Sequence, residues 1–230
     1  MRNSKKTTIL RAEADNTQRA LLNMSAGGDL EARRLYLFGE VNEEMAARFI
    51  VALDVLNQQK GHVTIVICSP GGSVPAGFAM FDAMRLSPNP IVTIGVGEVH
   101  SIATLLMQGG KTRLLTPHTR MMVHNISVGL DGVLNNDQLH VTTKEISVLS
   151  QVYAETMAGA TKQTVEAIKT MCRKETYMSA IEAVDAGFAD GIIQGSHFAG
   201  EKVKGSAPEP AVKKVPAKKK AKAPAKKAKK

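Results

Sequence analysis

Cysteine is scarce. The 230-residue chain has two, Cys68 and Cys172, which lack metal-ligand spacing and can close at most one bridge, so free thiols in a reducing compartment are expected. Long apolar runs are also missing: no window approaches the roughly 18 uninterrupted apolar residues of a membrane span. The first 30 residues, with Arg2, Lys5, Lys6, Arg11, Glu13 and Asp15, contain no signal-peptide core. These absences exclude a disulfide scaffold and a helical membrane protein. The expectation is a cytoplasmic globular protein without membrane contact, and an apolar content of 43% suits one domain with a sizeable core.

An excess of acidic charge is lacking too, yet the net charge of +9 does not describe the whole chain. Residues 201–230 carry twelve lysines against Glu201 and Glu209, leaving the first 200 residues with 18 basic and 19 acidic groups. The body is therefore nearly neutral and the basicity belongs to a tail. Residues 197–230, ending in a Lys/Ala/Pro repeat, have little to bury and read as a disordered extension. Two readings of it stay open: a solvated, solubilising segment, or a nonspecific, salt-sensitive contact with nucleic acid.

Residues 1–32 read as a polar arm or propeptide, and the domain is expected to span 33–196. Leu35–Phe38 reads as a strand. Asn42 caps a helix with Glu43 and Glu44 in its first turn, and Met45, Phe49, Leu53 and Leu56 share one buried face. Strands at His62–Ile67 and Ile91–Val96 alternate with helices at Val74–Met84 and Ile102–Met107, the last ending at Gly109-Gly110. That alternation predicts an α/β domain with a mainly parallel sheet. A long helix from Asn136 to about Gly159 is expected to protrude beyond the sheet and meet a neighbouring subunit. Helices near Lys162–Met171 and Ala180–Ala186 and a strand at Gly191–Gln194 close the pattern.

Ser101 stands where an apolar strand gives way to an apolar helix. Such a serine is usually a helix cap, but this is also where a nucleophile sits. Acyl transfer needs a nucleophile, a base, an orienter for the base and donors for the developing oxyanion. His124 ends the apolar run Met121-Met122-Val123 and is the candidate base. Gly71 and Gly72 free the backbone to turn, so Gly72 N–H can face a cleft, while Ile102 N–H lies at a positive helix end. The Pro-Gly-Gly turn could equally be an ordinary tight turn or a phosphate nest, but no Lys-Ser/Thr follows it, and that weakens a nucleotide site.

These motifs, in this order, resemble the ClpP family, the proteolytic subunits of the Clp protease. The likeness covers roughly Arg33 to Gln194. Ser69-Pro-Gly-Gly72 ends a strand, and Ser101 opens a helix about thirty residues on, followed by Leu105, Leu106 and Gly109. Arg120-Met-Met-Val-His124 and Glu175-Thr-Tyr-Met-Ser179-Ala-Ile-Glu-Ala183 with Gly187-Phe-Ala-Asp190 complete it. The resemblance implies the stacked ββα repeats of the ClpP and crotonase superfamily. It also implies Ser101 as nucleophile, His124 as base, Glu175 in place of the usual aspartate as the orienting acid, and Gly72 and Ile102 N–H as the oxyanion hole. Unfolded polypeptides would be the substrate, two stacked heptameric rings the homo-oligomer, and a AAA+ unfoldase the partner that uses ATP. No metal or organic cofactor is implied. A phage-type head maturation protease, a crotonase-type acyl-CoA enzyme and a non-catalytic ring subunit with a nucleic-acid-binding tail remain as alternatives. His62, His118, His140 and His197 are expected at the surface or at strand ends, and the His100 side chain is expected to point away from Ser101.

Overall fold

A computed structural model describes residues 27–127, 129 and 135–193, residues 18, 20, 21 and 23–25 ahead of them, and the backbone of 212–213. The elements, in order, are β1 (Gly28–Asp29), β2 (Arg34–Phe38), α1 (Glu43–Asn57), β3 (Val63–Ser69), α2 (Val74–Leu86) and β4 (Ile91–His100). There follow α3 (Ile102–Gln108), β5 (Thr112–Leu115), β6 (Arg120–Val123), α4 (Asn136–Thr161), α5 (Val165–Arg173), β7 (Thr176–Ser179), α6 (Ala180–Asp185), β8 (Gly191–Ile193) and β9 (Val212–Lys213).

The main path of the sheet runs β1-β2-β3-β4-β5-β8-β9. Pairs from β2 to β5, and β5 with β8, are parallel, while β1 and β9 add antiparallel edges. The α/β class and mainly parallel sheet expected from the alternation are present. β3 lies inside the sheet, and its Val63, Ile65, Val66, Ile67 and Ser69 are buried, the near-continuous apolar run of a strand covered on both faces. Helix α1 starts as its sequence dictates: Asn42 Oδ1 accepts from Met45 N at 2.8 Å, and Met45, Phe49, Leu53 and Leu56 are buried.

β4 is longer than the expected strand. It continues through Gly97 and Glu98 to His100 because it changes partners: Val92–Gly95 pair with β5, whereas Glu98–His100 pair with β6. Gly97, at φ 62°, stands between the two sets. β6 then pairs antiparallel with β7, so a second group of strands branches from the end of β4, directly before Ser101.

Helix α4 is opened by a capping box between Asn135 and Gln138 and, at 26 residues, is about 39 Å long. Its buried residues, Tyr153, Ala154, Met157, Ala158 and Thr161, all lie in the second half. Leu139, Val141, Val148 and Val152 on this helix are exposed. Two other boundaries differ from expectation. β1 pairs with β2 and extends the domain ahead of residue 33. Within the lysine-rich tail, Val212–Lys213 pair with the edge of β8; the expected disorder of the rest of the tail, like Gln194, falls outside the described residues.

Both cysteines are free thiols, and burial pushes Cys172 up to about 11, with Arg173 opposing. No helix among the described residues is long and apolar enough to cross a membrane.

Candidate active site

Ser101 is not a helix cap. No backbone N–H is capped by its side chain, and instead its Oγ lies 2.7 Å from His124 Nε2. The cap reading fails on geometry: at φ 55° and ψ −128°, Ser101 turns β4 sharply into α3. That conformation is unfavourable for a residue with a Cβ. It is held from both sides, by Ser101 N donating to Met122 O at 2.8 Å and Thr104 N donating to Ser101 O at 3.0 Å. All seven residues of α3 are buried, so the serine stands on a helix that cannot shift easily.

The Ser69–Gly72 turn forms the facing wall. Buried Ser69 Oγ accepts from Gly71 N at 3.1 Å. Gly71 has φ 102°, and a Cβ there would lie 2.6 Å from Ser101 Cβ; only glycine lets the turn approach the serine this closely. Gly72 forms a parallel bridge with Val41, made by Val41 N donating to Gly71 O at 2.8 Å and Ser73 N donating to Val41 O at 2.7 Å. In that pattern Gly72's own N–H points away from Val41. It has no acceptor among the described residues, nor has Ile102 N–H, the first donor of α3.

Gly72, Ser101, Ile102 and His124 share one cleft of about 270 Å³, closed by Pro70, Val74, Met122, Ile126, Ser127 and Tyr153. Its walls mix apolar and polar groups, with two unspent backbone donors near a serine–histidine pair. Chemically this suits attack by Ser101 Oγ on a carbonyl, proton removal by His124 and stabilisation of the resulting oxyanion.

Glu175 is not joined to this pair. Antiparallel register sets Val123 against Thr176 as the last pair of the ladder, so that His124 directly follows β6 and Glu175 directly precedes β7. The exposed carboxylate instead accepts from Tyr177 Oη at 3.4 Å. Among the described residues no hydrogen bond joins it to the imidazole. Glu175 also has a positive φ of 49°.

Among the described residues no hydrogen bond joins another histidine to the pair. His62, His118 and His140 are exposed, and His197 is outside the described residues. His100 ends β4 rather than starting a helix, and its ring meets Tyr177 edge-on at 5.8 Å, with Nδ1 3.4 Å from a Glu98 oxygen. Burial holds its pKa below the ordinary histidine value, Glu98 opposing and Arg120 assisting. Sequence reasoning gave no role to Thr104 and Tyr153. The available signal was a hydroxyl in a helix otherwise almost wholly apolar: buried Thr104 Oγ1 bonds Ser101 O at 2.6 Å and Tyr153 Oη at 2.7 Å.

A serine kept from capping its own helix, on a mainly parallel α/β scaffold and hydrogen-bonded to a histidine, defines the class of serine-type hydrolases. Comparison with known proteins narrows the class. The family model described as Clp protease matches residues 17–196. The ATP-dependent Clp protease proteolytic subunit 2 of Thermobifida fusca is 31% identical over 168 residues, 71% of this chain and 82% of the relative. Proteolytic subunit 1 of Leifsonia xyli subsp. xyli is 32% identical over 167 residues, 71% and 84% of the two chains. Proteolytic subunit 2 of Corynebacterium glutamicum is 31% identical over 168 residues, 71% and 83%. This chain belongs to the Clp protease family.

Proposed function

We propose that this chain is a serine endopeptidase that hydrolyses unfolded polypeptides as the proteolytic subunit of an ATP-dependent Clp-type complex. The observation that carries this reading is the 2.7 Å contact of Ser101 Oγ with His124 Nε2, made by a serine not spent as a cap. Ser101 Oγ attacks the scissile carbonyl as His124 takes its proton. The new oxyanion is met by Gly72 and Ile102 N–H, the C–N bond breaks, and His124 returns the proton to the leaving amine. Water then repeats the sequence on the acyl-enzyme. Glu175, directly before the β7 residue that pairs with Val123, turns from Tyr177 to accept from Nδ1 and holds the tautomer that leaves Nε2 free as base. These steps use side chains, backbone and water; ATP is used by a AAA+ partner, not by this chain.

The relatives' printed names support the ATP-dependent complex. Two stacked heptameric rings, cytoplasmic location and the unfoldase partner belong to the same proposal. The exposed valines of α4 support its meeting another subunit. A fluorophosphonate probe tests the core of the reading. In the assembled protein it is expected to label Ser101, and Ser101→Ala is expected to abolish labelling and lower peptide hydrolysis by about 10⁴-fold or more. An unlabelled wild type beside a reactive control hydrolase would end it.

The concentration of lysines in residues 213–230 favours one addition: nonspecific, salt-sensitive contact with nucleic acid through that segment.

A further inference from the structure

A trans peptide unit is planar, so the Ser101 carbonyl and the Ile102 N–H are opposite ends of one rigid plate. Whatever fixes the oxygen also aims the proton. Ser101 gives this plate little intrinsic preference for its position, since φ 55° with ψ −128° is a conformation that non-glycine residues leave unless their surroundings hold them there.

The surroundings do so with side chains as well as backbone. Ser101 O accepts from Thr104 N at 3.0 Å and, closer, from Thr104 Oγ1 at 2.6 Å. A hydroxyl carries one proton. With that proton given to the carbonyl, Thr104 Oγ1 can only accept from Tyr153 Oη, 2.7 Å away. The order of donation is therefore Tyr153 to Thr104 to the Ser101 carbonyl. Both side chains are buried, Thr104 fully and Tyr153 at 5% exposure, so water does not replace either bond freely. Burial also raises the Tyr153 phenol above its ordinary value, with the Thr104 bond opposing, which favours the protonated donor form.

We infer that Tyr153 and Thr104 are positioning residues: they lock the Ser101–Ile102 peptide so that Ile102 N–H stays aimed into the cleft as an oxyanion donor. Tyr153, the first buried residue of α4, also walls the same cleft. The plate is thus anchored to α4 through Tyr153, 49 residues beyond Thr104 in the chain. The inference rests on Ser101 being the nucleophile.

The test compares four variants of the full-length protein, Tyr153→Phe, Thr104→Val, Thr104→Ser and the Tyr153→Phe/Thr104→Val double, by fluorophosphonate labelling rate and by kcat and KM on a short fluorogenic peptide. Phosphonylation forms the bond from Ser101 Oγ to phosphorus, passes the hydroxyl proton to His124 and expels fluoride while the phosphoryl oxygen takes the oxyanion site, so it reads the same donors. Tyr153→Phe and Thr104→Val are each expected to slow labelling and kcat by about ten- to a hundred-fold, less than or comparable to loss of a whole oxyanion donor, with KM unchanged. Thr104→Ser, which keeps the hydroxyl, is expected to restore most of the rate. The double variant is expected to be no slower than Thr104→Val, because Tyr153 acts through Thr104. Labelling at the wild-type rate, losses that multiply in the double variant, or a rise in KM at constant kcat would each overturn the inference. Thermal melts accompany every variant; a lower melting point with full labelling also counts against it. Should Thr104→Val fail to fold, Tyr153→Phe, which keeps the ring in the cleft wall, and Thr104→Ser carry the comparison. An unlabelled wild type would instead defeat the assignment of Ser101, a result separable from all of these.

Discussion

Glu175 is the residue whose position and side chain give different messages. It directly precedes β7, whose Thr176 pairs with Val123 beside His124, but its carboxylate is with Tyr177 Oη at 3.4 Å. Its φ of 49° offers a way to separate the two. A left-handed backbone costs a side-chain-bearing residue roughly 1–3 kcal/mol, a cost glycine avoids. Glu175→Gly is therefore expected to leave the melting temperature unchanged or higher. If the carboxylate orients His124 during turnover, the same variant is expected to lose about a hundred-fold or more in kcat; unchanged kcat would remove Glu175 from the mechanism. The contact of Ser101 with His124 was legible in the chain because each residue sits in a motif of fixed order. The direction of the Glu175 side chain was not, since a rotamer responds to neighbours such as Tyr177 rather than to spacing. Thr104 and Tyr153 escaped for a related reason: their contact joins elements far apart in sequence, and periodicity reads only what lies within one element.

Elements were legible where one pattern governs them. α1 declares its cap and its buried stripe, and β3 declares burial on both faces. β4 could not be read to its end because Gly95, Gly97 and Glu98 break the apolar run just where its partner changes from β5 to β6. β7 was missed because only Met178 of its four residues is buried. Elements far apart in the chain are joined by Arg113 of β5. Its side chain bonds both Asp190 oxygens, at 2.6 and 3.2 Å, and reaches Ala160 O at 3.2 Å, Gly187 O at 3.0 Å and the Gln108 side chain. One guanidinium thereby ties α3, the end of α4 and the turn after α6 to the sheet. Losing a mostly buried cation with this many acceptors leaves several polar groups unpaired. Arg113→Met is expected to cost roughly 2–4 kcal/mol, measured as a lower urea midpoint with unchanged slope. Arg113→Lys is expected to recover little, because an ammonium cannot reproduce the planar fork. A wild-type midpoint for both would show that the network carries no stability.

Across the whole molecule, charge is divided more sharply than structure. Removing residues 214–230 takes away nine lysines and no acid, bringing the formal net charge from +9 to zero while keeping Val212–Lys213 on the edge of β8. The shortened chain is expected to lose DNA binding at low salt while cleaving short peptides at the full rate, and in the full chain log affinity is expected to fall linearly with log salt. DNA retention by the shortened chain would place the contact elsewhere. The strained turn at Ser101 has a consequence at this scale as well. A backbone that favours glycine, kept for the sake of a hydroxyl, makes the nucleophile a point where durability and turnover are opposed. Lineages selected for heat tolerance alone would gain by drifting to glycine at this position and falling silent.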